Sequence, residues 1–221
     1  MKSRAVKSPY FYSALGLAGL LLSVAAPIPA ADILACGDLA NAFGPFDYRN
    51  AEHRKNLPIV ETHHFTPQVE SLMKAATGSL GADIDYTLRA FPNHLRALDA
   101  MARLSIREKT ARPSGANYSI ECYFDRAIRF RPEDGLARMA YGAYLANIGE
   151  AGKSIEHMQA AARLEPDNAT VNYNLGLMYL KNKDYAQARS YAKKAYALGF
   201  PLPGLKNKLV AARAWKDDDL H

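Results

Sequence analysis

An all-α array of stacked helical hairpins is the fold class this sequence predicts, and three observations predict it. Small residues and prolines recur at an interval of 34: Gly142 and Gly176, then Ala127, Ala161 and Ala195, then Pro132 and Pro166. Between the prolines, apolar residues fall at three- and four-residue spacing, the period of a helix with one buried face. Two such helices fit each interval around a short turn. A hairpin of that size cannot bury its apolar face alone, so hairpins stack, with small residues where helices touch.

The N-terminus reads as an export signal. Lys2, Arg4 and Lys7 form a positive start, Ala14 to Ala26 a short apolar core, and Ile28-Pro29-Ala30 a small-residue cleavage site, with Ala31 as the mature start. The rival reading is an uncleaved anchor, since Tyr10 to Ala31 approaches the length of a membrane span. Pro27 and Pro29 oppose it, because they break the end of such a helix. The expected location is therefore outside the cytoplasm, in the periplasm, with an N-terminally anchored form as the alternative. The chain has two cysteines, Cys36 and Cys122. In an oxidising compartment they pair most simply as one disulfide, closing a loop of about 85 residues and contributing up to ~4–5 kcal/mol. Lipidation of Cys36 after Ile33-Leu34-Ala35 is the alternative, and it leaves Cys122 unpaired. Membrane contact is expected only with an uncleaved signal or a lipidated Cys36.

From 31 to 65 the chain shows no sustained period, and Gly37, Gly44, Pro45 and Pro58 punctuate it, so an irregular strap is expected. Thr66-Pro67 then starts a helix whose face is Val69, Leu72 and Met73 and which runs to Thr77-Gly78. Asp83 starts a second, through Tyr86, Leu88 and Ala90 to Phe91-Pro92. Asn93 caps a third, with Leu95, Leu98, Met101, Ala102 and Leu104 on one face. Glu108 to Ala116 is a loop, Tyr118 to Phe130 the partner helix, and Pro132 closes the hairpin. The next hairpin carries Tyr141-Gly142 and Leu145, then Ser154, Met158, Ala161 and Pro166. The one after carries Leu175-Gly176 and Tyr179, then Ala188, Ala192 and Ala195, and ends at Gly199-Phe200-Pro201. Leu205 to Trp215 supplies a last amphipathic helix that covers the open end. The organisation is thus signal 1–30, strap 31–65, repeat domain 66–200, and capping helix with tail 201–221.

This pattern resembles the tetratricopeptide repeat, W-x2-L-G-x2-Y, then A-x3-F, then P. The resemblance covers roughly residues 93–200, with a degenerate pair before it. Arg138 and Asn172 stand where the pattern has tryptophan, and Phe200 stands where the closing proline should be. Gly44 to Arg49 and Asp85 to His94 also resemble segments of exported bacterial proteins with these repeats. The resemblance implies a right-handed superhelix whose first helices line a concave groove, and a non-catalytic scaffold or adaptor for an envelope protein or peptide. In that register Leu136, Met139, Ala143 and Asn147 face the groove from one hairpin, and Thr170, Tyr173, Leu177 and Leu180 from the next. Asn174 matches the position that hydrogen-bonds a ligand backbone. Arg96 and Arg103 would give the groove a positive wall. The lysines of the carboxylate-binding members are replaced by Met139 and Ala143, which argues against a C-terminal carboxylate ligand.

Other chemistries find little footing. Removing Lys2, Arg4 and Lys7 from 28 basic side chains leaves 25 against 22 acidic, a net +3, and no basic stripe suggests nucleic acid. Asn147-Ile148-Gly149-Glu150-Ala151-Gly152-Lys153-Ser154 approximates a phosphate-binding loop but lacks the first glycine and the preceding strand, so no nucleotide is expected. The six histidines show no metal-ligand spacing, and no cofactor or metal is expected. A different class of function, an enzyme or glycan site on the strap, would draw on His63, His64, His94, Asp47 and Tyr48. The strap itself has two possible courses: over the convex back, where Cys122 would hold it, or into the groove.

Overall fold

The computed structural model describes residues 36–216, so the predicted signal, the first residues of the strap and the tail lie outside the described residues. Within them are ten α-helices and one 3-10 turn, and no strand. The helices are α1 (Leu57–His64), α2 (Pro67–Glu70), α3 (Leu80–Ala90), α4 (Leu95–Glu108), α5 (Ile120–Phe130), α6 (Gly135–Asn147), α7 (Ala151–Leu164), α8 (Ala169–Lys181), α9 (Tyr185–Ala197) and α10 (Gly204–Ala211). Helices α4, α6, α8 and α10 touch in sequence and form an inner row, while α5, α7 and α9 pack outside and between them. This alternation is the predicted array.

Its spacing has a steric cause. A Cβ on Gly142 would stand 2.8 Å from Met158 Cγ and 3.0 Å from the Ser154 carbonyl, so only glycine lets α6 approach α7 this closely. The Ser154 hydroxyl also donates to the Gly142 carbonyl at 2.8 Å. Ala127, Ala161 and Ala195, the alanines of the repeat interval, are all completely buried. The two departures from tryptophan share a local role. Asn172 Nδ2 donates to the Pro166 carbonyl at 2.9 Å, and Arg138 Nη2 reaches the Pro132 carbonyl at 3.4 Å. Asp134 and Asn168, also one interval apart, each cap the following inner helix through two backbone N–H groups.

Several boundaries differ from expectation. The helix expected from Thr66 to Thr77 is a single turn, Pro67–Glu70. Leu72 takes a left-handed φ of 58°, Arg107 Nη1 binds its carbonyl at 2.7 Å, and Met73 is 79% exposed rather than on a buried face. Asp83 does not start the next helix. Ser79 is its N-cap, and Asp83 lies buried inside, accepting from the Ala76 and Thr77 amides and the Thr77 hydroxyl. Those bonds tie residues 76–77 into a loop and explain why the earlier helix cannot continue. His94, not Asn93, caps α4, and Ser119 caps α5. The end of the strap is ordered as a 3-10 turn, His53–Asn56, followed by α1, with Pro58 in its first turn and Val60 as its buried residue. Eight residues with one buried contact give no readable period, which is why the helix escapes a sequence reading. The capping helix stops at Ala211 rather than Trp215; Arg213 turns left-handed and brings Trp215 back against Tyr196.

The strap runs along the back. Cys36 and Cys122 form a disulfide with a Cα–Cα distance of 4.9 Å. Arg126 on α5 donates to the carbonyls of Cys36 and Asp38, and Arg129 donates to that of Gly37. Further on, Phe46 N–H donates to the Ala90 carbonyl at 2.8 Å, and Phe46 packs on Phe43 and Phe91. A Cβ on Gly44 would stand 2.5 Å from that same carbonyl, so the approach requires glycine there. All these anchors lie on α3, α5 and the turn after α3, outside the inner row.

Candidate partner-binding surface

The inner row places the predicted groove residues unequally. Met139 and Ala143 are half-buried on α6 and pack beside Val171 and Leu175 of the next inner helix. Asn147 is exposed at the end of α6, and its amide donates to the Ala143 carbonyl at 3.0 Å. Asn174 stands half-buried on α8. Its Nδ2 points at Met139 Sδ, 3.4 Å away, which is a weak acceptor. The Asn174 carbonyl oxygen has no bonded partner among the described residues. An amide held in place with unused donor and acceptor capacity suits recognition of a peptide backbone.

Toward the C-terminus the surface closes. Tyr173 stacks on Phe200 with ring centroids 3.9 Å apart, and Leu177 and Leu180 pack against the buried Leu205 and Leu209 of α10. Tyr173 and Leu177 are therefore partly consumed by the cap. Toward the N-terminus the expected positive wall is absent in electrostatic terms. Arg96 donates to Glu61 at 3.1 Å and to Glu70 at 2.7 Å, and Arg103 donates to Asp99 at 2.8 Å and to the Glu70 carbonyl at 2.9 Å. The hydrogen bond from Arg96 holds the Glu70 carboxyl below its ordinary range. Both guanidiniums turn toward α2 because the short α2 leaves carbonyls and carboxylates there to satisfy. Spacing along α4 announces the Asp99–Arg103 pair, one turn apart, but not the contacts made to Glu61 and Glu70 on other segments.

The strap residues that an enzyme or glycan site would use are tied into structural networks. Asn93, 2% exposed, accepts from the Tyr48 amide at 2.9 Å and donates to Asp47 at 2.8 Å and to Asp134 at 2.9 Å. Arg131 Nε reaches Asp47 at 2.7 Å. Burial raises the Asp47 pKa, but bonds from Asn93, the Arg49 amide and Arg131 outweigh it and hold the carboxyl below its ordinary range. His64 meets Asp83 at 3.2 Å and stacks on Tyr86. His63 is exposed and lines a small cleft of about 220 Å³ with Phe43, Ile59, Val60, His64 and Tyr86. The segments Gly44–Arg49 and Asp85–His94, singled out separately in the sequence, pack on one another through Phe46–Phe91, Tyr48–His94 and the Asn93 amide.

His94 has a defined protonation state. Its Nδ1 accepts the Ala97 N–H at 3.1 Å, so the proton sits on Nε2, which donates to Glu61 at 3.0 Å. Protonating Nδ1 would set a donor against the Ala97 N–H. Burial lowers the His94 pKa, though Glu61 opposes it, and burial with the neighbouring Arg138 lowers that of His157. The unfolded chain takes up these protons near pH ~6.5 and the folded chain only at lower pH, so stability falls as pH drops below about 6.5. Glu61, lowered by its bond from His94, and Asp83, where bonds from Thr77, Ala76 and His64 outweigh burial, add a second loss below about pH 4. Melts at constant ionic strength should show a midpoint that declines from pH 7 to 5 and again below 4. A flat midpoint between 7 and 5 would show that His94 is not held neutral.

Among the described residues, no three His, Cys, Asp or Glu side chains stand together as a metal site, and no helix is long and apolar enough to cross a membrane. The near-match to a phosphate-binding loop is the α6–α7 hairpin turn, entered from a helix, with its Ser154 bonded to Gly142.

Inner and outer helix rows, joined by caps and small-residue contacts at one fixed interval, define an α-helical repeat scaffold. Residues 157–190 match the tetratricopeptide repeat family, and the array is of the tetratricopeptide type. Repeats of this kind serve as scaffolds for protein–protein interaction. No curated protein matches the chain.

Proposed function

We propose that this protein is an exported, non-catalytic scaffold that holds an extended peptide or helix of a cell-envelope protein across its concave face. The observation that carries the reading is the pairing of a strap fastened to the outer helices with an Asn174 amide left available on the inner row. Met139 and Ala143 supply apolar contact beside that amide, and Asn174 sets the register of the bound backbone. The one disulfide and the signal-like N-terminus support a location in the periplasm.

Affinity capture from an envelope extract, read by mass spectrometry beside Asn174→Arg, tests the proposal. The variant places a long cation on the half-buried amide position and should lose the partner by at least about tenfold while keeping its helical spectrum. A partner retained by a folded variant removes the concave face from consideration and moves attention to the cleft beside His63.

A further inference from the structure

A second surface feature shares no lining residue with Met139, Ala143 and Asn174. Where α6, α7 and the α5–α6 turn meet, a cavity of about 320 Å³ is lined by Pro132, Arg138, Glu156, His157, Arg163 and Leu164, among others. Arg138 occupies a position at which the repeat pattern carries tryptophan, so a guanidinium borders space that a large ring would otherwise fill.

Its hydrogen bonding is incomplete. Arg138 makes only the long 3.4 Å bond to the Pro132 carbonyl, and its Nε is buried with no acceptor. The His157 ring lies 4.4 Å from that of Tyr141, with Nδ1 buried and unpartnered. Arg163, exposed at the rim, has no acceptor among the described residues. Buried polar groups left unpaired cost ~1–3 kcal/mol each, and folded proteins keep few of them without a functional reason. Two occur here beside an unused guanidinium.

The geometry points to a binding site for a small oxyanion, the carboxylate or phosphate group of a free solute, held by Arg138 and Arg163 with His157 beside them. Guanidinium forks match the oxygen spacing of both groups. Glu156 on the same rim opposes a bulky polyanion and so favours a single oxyanion group. Burial and Arg138 lower the His157 pKa, and an anion bound beside it would raise it. None of the site's lining residues is among the groove residues Met139, Ala143 and Asn174.

The test is an NMR titration of the labelled, purified protein with inorganic phosphate, succinate and chloride at constant ionic strength. It follows the His157 imidazole and the arginine Nε signals. The expected result is a saturable change with phosphate or succinate but not chloride, and an upward shift of the His157 titration midpoint. A response to phosphate alone assigns a phosphoryl ligand, and to succinate alone a carboxylate. Arg163→Gln should weaken binding about tenfold with the fold intact, while Asn174→Arg leaves it unchanged. Equal responses to all three ions, or an unaltered affinity in folded Arg163→Gln, overturn the proposal.

Discussion

Replacing Cys36 and Cys122 together by serine is expected to lower the melting midpoint by roughly 10–15 °C, the largest effect any change to the strap should have. The disulfide closes a sequence separation of 86 residues, and restricting the unfolded chain over such a loop is worth ~4–5 kcal/mol. For a chain of this size each kcal/mol moves the midpoint by about 2–4 °C. The helical spectrum at 25 °C should persist, because the array packs through its own core. Loss of the strap should also be graded. Residues 36–42 depend on the disulfide and on Arg126, which is 1% exposed and bonded to the Cys36 and Asp38 carbonyls. Residues 43–50 are held separately by Phe43, Phe46, Phe91 and the Asn93 amide. Hydrogen exchange on the double variant should therefore deprotect the first stretch and leave the amides of Phe46 and Tyr48 slow. Rapid exchange throughout 36–50 would show that the disulfide alone fastens the strap.

Asn93→Asp should be the most damaging near-isosteric change in the protein. The Asn93 Nδ2 group donates to two carboxylates at once, Asp47 and Asp134. Exchanging it for oxygen removes both bonds and sets a third carboxylate against the pair. Arg131 at 2.7 Å from Asp47 and Arg49 at 3.7 Å from Asp134 offset part of the repulsion but already serve those partners. A buried charge left without compensation costs ~3–5 kcal/mol, so the midpoint at pH 7 should fall by roughly 8–15 °C. The sign of its pH dependence is diagnostic. Protonation restores a donor to the new carboxyl, so the gap to wild type should narrow as pH falls toward about 4. A gap that stays constant with pH would mean that lost packing, not charge, causes the defect.

The array was legible in the sequence because its determinants are local and periodic. Gly142 and Gly176, the buried alanines and the turn prolines repeat at the interval at which helices must touch, so their spacing reports packing directly. Caps were half legible: Ser79, His94 and Ser119 do the capping where Asp83, Asn93 and Tyr118 marked the expected starts. A shift of one to four residues changes little in a helix. It decides, however, that Asp83 and Asn93 are free to hold loops together.

The chain by itself thus determined the helical class and the repeat interval, each of which follows from residue type and spacing. It left the cysteines open between a disulfide and a lipidated Cys36, which the structure resolves as the disulfide. Tertiary structure alone decided where the strap lies, since both courses satisfy one disulfide and only the anchors on α3 and α5 separate them. It also decided that Arg96 and Arg103 are neutralised. The Asp99–Arg103 pair, one turn apart on α4, is local. The partners of Arg96, Glu70 and Glu61, come from segments 26 and 35 residues away, and no periodicity within a helix announces a contact made by another.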